Sequence, residues 1–169
     1  MIRQAGIDDS RVVAELAVLL WPDNDIYDLE KEMIDSITSE DEAVFIYYDE
    51  NTPVGFAQCS LRYDYVEGTE SSPVGYLEGI YVKDEYRKKG IGKKLLIQCE
   101  ESARSKGCSE FASDCDLNNT ESLKFHLKLG FEEANRIICF KKNLWVNGAS
   151  YNNSWILNRR KLILTCDIP

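Results

Sequence analysis

The fold is decided by residues 76–94, which read YLEGIYV over positions 76–82, KDEY over 83–86 and RKKGIGKK over 87–94. The first seven residues are mostly apolar and aromatic, which is typical of a β-strand. Apolar residues then recur at helical spacing over residues 91–106, and Gly107 is suited to cap the end of such a helix. The sequence therefore predicts a strand, a basic glycine-containing turn and a long helix in direct succession.

A turn of this kind at the start of a helix can bind a phosphate group. The first N–H groups of a helix have no partner within it, and the helix dipole adds about half a positive charge there. Glycines let the backbone approach an anion closely, and four lysines and one arginine in residues 87–94 add positive charge. The pattern is neither a Walker A loop nor a dinucleotide fingerprint, because Leu95 stands where the third glycine of the fingerprint belongs. A solvated basic helix entry without a ligand is the alternative.

The segments on either side of this stretch predict an α/β fold in one domain. Helices are expected from Asp8 or Asp9 to Leu20, over 28–38 and from Asn118 or Asn119 to Leu129, and strands over 43–48, 54–62, 108–113 and around 137–140. This order predicts a mixed, largely antiparallel sheet with helices on both faces. We expect the domain to cover residues 1–144 and an extension to follow at 145–169, where the sequence indicates no chemistry.

The charge of the chain argues against nucleic acid and for a cationic small molecule as its partner. The chain holds 29 acidic and 20 basic residues, a formal net charge of −9, and fourteen of the acidic residues lie within residues 1–50. Binding to a nucleic acid backbone needs a positive field, whereas a negative field attracts cations. Solubility alone is the other explanation for the acidic excess.

The sequence indicates a cytoplasmic protein without a bound metal. No apolar run reaches the roughly 20 residues that span a bilayer, and the N-terminus lacks the apolar core of a signal peptide. The six cysteines are scattered without a Cys-x-x-Cys pair, and the single histidine offers no zinc-finger spacing. We therefore expect free, mostly buried thiols in a reducing compartment, and no membrane association.

Two elements of the chain resemble the acetyl-CoA motif of the GNAT superfamily of acetyltransferases. The first is Arg87-x-x-Gly90-x-Gly92 after the strand that ends at Val82, and the second is Asn119 followed by FHLKLGF at residues 125–131. The resemblance implies acetyl-CoA as co-substrate, with its pantetheine arm on the backbone of the strand and its pyrophosphate on the basic turn. The residues implied in coenzyme binding are Ile80, Tyr81, Val82, Arg87, Lys88, Lys89, Gly90, Ile91, Gly92, Lys93 and Asn119.

His126 departs from the pattern of the resembled family. The family usually has a tyrosine at this position, which is often proposed to protonate the leaving thiolate. A histidine can also donate a proton near neutral pH. On an amphipathic helix it is equally a packed or a surface residue, so both roles stay open.

Two carboxylates are candidates for the acceptor side of the site. Side chains alternate along a strand, which predicts that Glu78 shares a face with Ile80 and Val82. A carboxylate on an apolar face is costly unless it meets a partner or lines a polar cleft. Asp114 follows the short strand at its C-terminal end, where α/β folds place ligands. An ion pair for Glu78 and a turn or capping role for Asp114 are the structural alternatives.

Longer blocks of the chain resemble one branch of the aminoglycoside 6'-N-acetyltransferases. These blocks are LWPD at 20–23, YDYVEGT at 63–69, SPVG at 72–75, LEGI at 77–80 and EFASD at 110–114. The resemblance implies drug contacts from Trp21, Asn24, Tyr65, Glu78, Asp114 and Asn135. The family more often has histidine at the position of Asn24 and glutamate at that of Asn135, and the missing carboxylate at Asn135 is expected to weaken or shift the drug preference.

Together these expectations describe one reaction, which confers antibiotic resistance. The 6'-amine attacks the thioester directly in a ternary complex, Glu78 or Asp114 takes its proton, and an N–H group near Ile80 holds the developing oxyanion. Because dimers are common in the resembled family, the resemblance also implies a homodimer. Two alternatives stay open: a GNAT enzyme that acetylates a polyamine, an amino acid or a protein N-terminus, and a non-catalytic acyl-CoA-binding module.

Overall fold

A computed structural model describes residues 1–142, in which five strands form one sheet in the order β1-β2-β3-β4-β5. The strands are β1 (Ile2–Gln4), β2 (Glu42–Asp49), β3 (Thr52–Arg62), β4 (Val74–Val82) and β5 (Phe111–Ser113). The helices are α1 (Ser10–Leu20), α2 (Ile26–Thr38), α3 (Ile91–Ser105) and α4 (Thr120–Lys128). Strands β1 to β4 are antiparallel neighbours, and β5 pairs with β4 in parallel. The predicted mixed, largely antiparallel α/β fold is confirmed.

Helices α1 and α2 cover one face of the sheet. Their apolar sides bury Val13, Leu16 and Leu29 against Ile46 of β2 and Phe56 of β3. Burying a side chain of this size stabilises the fold by about 1.5–3 kcal/mol. This packing fixes the end of α1, and the residues that follow it, over the middle of β4.

Helix α3 covers the opposite face. Its residues Leu95, Leu96 and Cys99 are fully buried and pack against Ala57 and Leu77 of the sheet. Because α3 lies directly on β3 and β4, its first turn is held at the end of β4, where the basic turn begins.

A β-bulge lies in β4 at Glu78. Gly79 pairs with Gln58 of β3, whereas Leu77 pairs with Cys59, so Glu78 is one extra residue between two successive pairs. A bulge of this kind interrupts the alternation of side chains along its strand.

The bulge places Glu78 on the face of the sheet that α1 and α2 cover. Its carboxylate accepts a hydrogen bond from Ser60, which lies on the same face as Gln58, whose side chain reaches α2. Ile80 and Val82 instead pack into the core beneath α3. The prediction that Glu78 shares a face with Ile80 and Val82 is therefore wrong.

Strands β4 and β5 pair over only a short length. Their parallel register joins residues 75–77 to residues 111–113. Beyond this point no strand within residues 1–142 lies beside residues 78–82 on the side away from β3. No neighbouring strand therefore engages the backbone groups along that edge, although the carbonyl of Val82 accepts a hydrogen bond from Nε of Arg87.

Several element boundaries differ from those predicted, for local reasons. Helix α2 begins at Ile26 because Asp25 accepts a hydrogen bond from the N–H of Tyr27. Asp9 precedes α1, but its carboxylate binds Arg3 and the N–H of Gly6 instead of capping the helix.

Both ends of the described chain depart from the sequence prediction. The sequence pattern does not predict β1, because three residues are too few to show alternation. The strand predicted around residues 137–140 is wrong: residues 131–142 contain no strand, and Phe140 is 91% exposed. An apolar run forms a strand only beside a neighbour that pairs with it, and the described residues offer none there. The predicted extension, residues 145–169, lies outside the described residues. None of the helices in residues 1–142 combines the length and the apolar character that crossing a membrane would require.

Candidate active site

The turn between β4 and α3 has the backbone geometry of an anion cradle. Gly90 precedes α3 at a φ of +78°, in the left-handed region, and a Cβ on it would meet no atom within 4 Å. Because Gly90 has no side chain, the residue before α3 cannot cap the first N–H groups of the helix with a side-chain acceptor. The first N–H groups of the helix therefore face the space in front of it, as a bound pyrophosphate requires.

The apolar residues predicted to hold the coenzyme are engaged in packing. Ile80, Val82 and Ile91 belong to the core beneath α3, and Tyr81 packs on the other face beside α1. Their side chains are therefore committed to the fold, and only their backbone groups are available to a coenzyme.

The charged residues of the turn behave differently from one another. Arg87 is tied to the fold, since its Nε donates to the carbonyl of Val82 at 2.9 Å and its Nη2 lies 2.9 Å from Asp84 Oδ1. Three exposed lysines predicted to bind the coenzyme are Lys88, Lys89 and Lys93, and Lys94 is exposed as well. These three can move toward an anion, whereas Arg87 contributes a fixed positive charge.

Helix α4 is placed close to this cradle by a glycine contact. A Cβ on Gly92 would lie 2.9 Å from Cε2 of Phe125, so the absence of a side chain lets α4 pack against the first turn of α3. Asn119 caps α4, because its Oδ1 accepts a hydrogen bond from the N–H of Ser122 at 3.0 Å. The structure therefore brings Asn119 to the same end of the molecule as the basic turn, with its amide NH2 group as the available donor.

Glu78 is held in an ion pair with Arg62. Nη2 of Arg62 lies 2.9 Å from Oε1 and 3.0 Å from Oε2, and Oγ of Ser60 donates to Oε1 at 2.6 Å. Both charged side chains are largely buried, with 19% of Glu78 and 25% of Arg62 exposed. The ion pair weighed as a structural alternative is therefore present, and it fixes the direction of the carboxylate.

Tyr76 connects this ion pair to Asp114. Cζ of Arg62 lies 3.2 Å from the centroid of the Tyr76 ring, and the hydroxyl of Tyr76 donates to Oδ1 of Asp114 at 2.7 Å. Burial, followed by the hydrogen bond to Asp114, raises the pKa of Tyr76 well above its ordinary value, so the phenol keeps its proton. The structure thus brings Glu78 and Asp114 into one network of contacts.

Trp21 forms an apolar wall beside this network. A Cβ on Gly79 would lie 2.7 Å from Cη2 of Trp21, so the indole lies directly on the backbone next to Glu78. The same indole packs edge-on against Phe56, with ring centroids 6.1 Å apart. Asn24 folds back onto it, since its Nδ2 donates to the carbonyl of Trp21 at 3.3 Å.

Tyr65 and Asn135, both predicted to contact a drug, meet at a third carboxylate. The hydroxyl of Tyr65 donates to Oε2 of Glu67 at 2.8 Å, and Nδ2 of Asn135 donates to Oε1 of Glu67 at 3.1 Å. Tyr65 is 52% exposed, so its ring can also be reached from solvent.

His126 has both ring nitrogens within hydrogen-bonding distance of protein atoms. Nδ1 lies 2.7 Å from the carbonyl of Ser122, which can only accept, so Nδ1 carries a proton. Nε2 lies 3.0 Å from Oγ of Ser113, which also lies 3.3 Å from the carbonyl of Leu77. The imidazole is therefore oriented, and Ser113 is the group that its second nitrogen meets.

Four residues of the site are missing from the sequence prediction: Ser60, Arg62, Glu67 and Tyr76. One signal could have found two of them, because Gln58, Ser60 and Arg62 alternate with apolar residues and so predict a polar face on β3. Glu67 and Tyr76 carry no such signal, since their roles depend on contacts with residues far along the chain.

The described cysteines offer no competing chemistry. Cys59, Cys99 and Cys108 are buried free thiols, Cys115 and Cys139 are exposed free thiols, and Cys166 lies outside the described residues. The hydrogen bond between Cys59 and Cys99, with burial, raises the pKa of the Cys99 thiol. No group of three histidine, cysteine, aspartate or glutamate side chains within residues 1–142 is arranged to hold a metal ion.

Known proteins with similar sequences indicate the family of this chain. Residues 13–131 match the model of the acetyltransferase (GNAT) family. The aminoglycoside N(6')-acetyltransferase type 1 of Stenotrophomonas maltophilia is 41% identical over 144 residues, which cover 85% of this chain and 93% of that protein. The protein of the same name from Acinetobacter baumannii is 43% identical over 130 residues, which cover 76% of this chain and 88% of that protein.

A solved structure shares the fold over nearly its whole length. It is AAC(6')-Iy in complex with the bisubstrate analogue CoA-S-monomethyl-acetylneamine, with a TM-score of 0.82, 36% identity, and coverage of 85% of this chain and 98% of that chain. The resemblance to aminoglycoside 6'-N-acetyltransferases predicted from the sequence is thereby confirmed. From the strand–turn–helix cradle and these matches together, the chain belongs to the acetyltransferase (GNAT) family.

Proposed function

We propose that this chain transfers the acetyl group of acetyl-CoA to the 6'-amine of aminoglycoside antibiotics and so confers resistance to them. The observation that carries the proposal is the network that joins Glu78 to Asp114 beside Trp21, next to the open edge of β4. Aminoglycosides carry several ammonium groups, which oriented carboxylates and an aromatic wall attract. The names of the relatives point to the same substrate class.

The coenzyme lies along the open edge of β4 in this proposal. The pantetheine arm meets backbone groups of residues 80–82, and the pyrophosphate meets the N–H groups at the start of α3. Gly90 keeps that entrance open, and the exposed lysines neutralise phosphate charge. Asn119 reaches the coenzyme from the side of α4.

The reaction proceeds by direct attack of the amine on the thioester carbon. An alkyl amine has a pKa of about 10, so it arrives as an ammonium and must lose a proton first. Glu78 or Asp114 accepts that proton, directly or through a water molecule. The N–C bond then forms while an N–H group near Ile80 stabilises the oxyanion, and one such donor is worth about 10²–10³ in rate.

Collapse of the tetrahedral intermediate breaks the C–S bond and releases a thiolate that needs a proton. We assign its delivery to the imidazolium form of His126: the hydroxyl of Ser113 gives its proton to the thiolate and takes the proton of Nε2, which leaves His126 neutral with its remaining proton on Nδ1. Trp21, Asn24, Tyr65 and Asn135 contact the drug in this proposal. A cytoplasmic location and a homodimer stay predictions.

The test of the function is release of CoA thiol from acetyl-CoA by the purified protein. Kanamycin and tobramycin are compared with spermidine and lysine, and gentamicin C1, whose 6'-amine is methylated, serves as the regiochemical control. Turnover with the first two drugs and none with spermidine or lysine supports the proposal. The variants Glu78→Gln and Asp114→Asn then show which carboxylate accepts the proton and which one only binds the drug. Binding of acetyl-CoA without turnover of any drug would contradict the proposal and leave only coenzyme binding.

A further inference from the structure

Glu67 presents a carboxylate that two neutral donors hold in a fixed direction. The hydroxyl of Tyr65 lies 2.8 Å from Oε2, and Nδ2 of Asn135 lies 3.1 Å from Oε1, so each oxygen has its own partner. These hydrogen bonds, first that of Tyr65 and then that of Asn135, lower the pKa of Glu67 below its ordinary value. The side chain is therefore charged at neutral pH.

The charge on Glu67 is not neutralised by a neighbouring cation. In the part of the chain that the structure describes, no lysine, arginine or histidine pairs with it, and both groups that lower its pKa are neutral. Other carboxylates nearby differ, because Glu78 pairs with Arg62 and Glu133 pairs with Arg136. Glu67 thus keeps a full negative charge for a cation that approaches from solvent.

The backbone around Glu67 is held in place beside the Glu78–Asp114 network. The preceding residue, Val66, is buried against Tyr76, whose hydroxyl binds Asp114. The following residue, Gly68, packs against Ala134, next to Asn135. A carboxylate fixed in this way can bind a cation without first losing much conformational freedom.

We propose that Glu67 binds a second ammonium group of the aminoglycoside, away from the amine that is acetylated, and that Tyr65 and Asn135 orient it. This inference rests on the proposed function. It also explains the asparagine at position 135, where the resembled family more often has glutamate: here residue 67 supplies the carboxylate, and residue 135 supplies the donor that directs it.

The test measures steady-state kinetics with tobramycin at saturating acetyl-CoA. Glu67→Gln keeps the shape of the side chain and removes its charge, so we expect KM for tobramycin to rise about threefold to tenfold. We expect kcat to change by less than about twofold, because Glu67 would contact the drug equally in the bound ground state and in the transition state. Glu101→Gln, which removes an exposed charge from α3, is the matched control and should leave KM unchanged.

A second variant separates the charge from the hydrogen bond. In Glu67→Gln/Asn135→Glu the carboxylate and the amide exchange places, so their hydrogen bond and the local charge are both kept. KM for tobramycin should return to within about twofold of the original value. A KM that stays raised in this double variant overturns the proposal, because the charge would then not be what binds the drug.

Different results would overturn the role of Glu67 and the proposed function. If the unmodified protein acetylates tobramycin and Glu67→Gln has the same KM, the role of Glu67 is overturned and the proposed function stands. If the unmodified protein acetylates no aminoglycoside, the proposed function is overturned and the role of Glu67 falls with it.

Discussion

Arg62 binds both carboxylate oxygens of Glu78, with Nη2 2.9 Å from Oε1 and 3.0 Å from Oε2. The pair lies at a bulge in β4, where Glu78 would otherwise be a largely buried charge without compensation. The guanidinium also lies on the ring of Tyr76, which holds Asp114. One arginine therefore binds Glu78 directly and packs on the ring whose hydroxyl binds Asp114, the two carboxylates that we assign to the acceptor amine.

Replacing Arg62 should reduce both stability and turnover. Arg62→Gln leaves Glu78 without its cation, and we expect the free energy of unfolding to fall by about 1–3 kcal/mol. Arg62→Lys keeps the charge but loses the bidentate contact with Glu78. Its free energy of unfolding should therefore stay closer to that of the original protein, while kcat falls about tenfold. Urea unfolding and thiol-release kinetics measure the two effects. Arg11→Gln, at an ion pair on the surface, is the control and should leave both the free energy of unfolding and kcat nearly unchanged.

A kcat for Arg62→Lys equal to that of the original protein would show that any positive charge at this position suffices. The fork geometry of the arginine would then have no part in orienting Glu78.

The contact between Trp21 and Gly79 predicts an effect confined to the acceptor side. Alanine at position 79 would place its Cβ 2.7 Å from the indole, so Trp21 must move away from Glu78. We expect Gly79→Ala to raise KM for kanamycin by about tenfold or more, a cost of roughly 1.4 kcal/mol, with binding of CoA unchanged. Kinetics and calorimetric titration with CoA measure these quantities. Gly6→Ala, where the nearest atom would lie 3.9 Å from the Cβ, should change neither.

The sequence predicts the strand–turn–helix geometry before α3 better than the contacts around Glu78, for a physical reason. A cradle made of backbone N–H groups at the start of α3 depends on local features, namely Gly90, the basic turn and the helix that follows. The acceptor side depends on pairings between distant strands. The face of Glu78 follows from a bulge that only the register with β3 reveals, and the link to Asp114 passes through Tyr76.

The wrong prediction of a strand around residues 137–140 has a similar cause, since strand formation also depends on distant residues. Ile137, Ile138, Cys139 and Phe140 form a continuous apolar run as a buried strand does, yet Ile138 and Phe140 are mostly exposed. An apolar run describes what a strand would bury, but whether a neighbouring strand is present to pair with it is decided by the rest of the fold.

Glu110 holds the loop between β3 and β4, and its effect should depend on pH. Its carboxylate accepts hydrogen bonds from the hydroxyl and the N–H of Ser71 and from the N–H of Glu70. The bond from the Ser71 hydroxyl is the main cause that lowers the pKa of Glu110 below its ordinary value of 4.5. Because the folded-state pKa of Glu110 is lowered, these hydrogen bonds contribute their full stability above pH 4.5. That stability is lost as the pH falls through the folded-state pKa.

We therefore expect Glu110→Gln to lower the melting temperature at neutral pH and to converge with the original protein in acid. Melting followed by circular dichroism from neutral pH down to about pH 4 and below measures this convergence. Glu101→Gln is again the matched control, since its exposed side chain accepts a hydrogen bond from Gln98 of the same helix. A difference in melting temperature that stays constant with pH would mean that the charge of Glu110 does not strengthen these hydrogen bonds.

His126 and Ser113 should act as one unit if they deliver the proton to the thiolate. Nε2 of His126 lies 3.0 Å from Oγ of Ser113, and Nδ1 is oriented by the carbonyl of Ser122. Loss of a general acid typically costs about 10²-fold or more in rate, so we expect His126→Gln and Ser113→Ala each to lower kcat substantially with little change in KM for the drug. Thiol release measured under saturating conditions gives kcat for each variant.

The double variant distinguishes a proton path from packing. Two groups on one path fail together, so His126→Gln/Ser113→Ala should be no slower than the slower single variant. If His126 only packs against Phe131, whose ring centroid lies 5.0 Å from that of the imidazole, then the free energy of unfolding falls instead of kcat. Urea unfolding of all three variants beside their kinetics decides between the two roles, because a proton path predicts non-additive rates at nearly unchanged stability, and packing predicts lost stability at nearly unchanged rates.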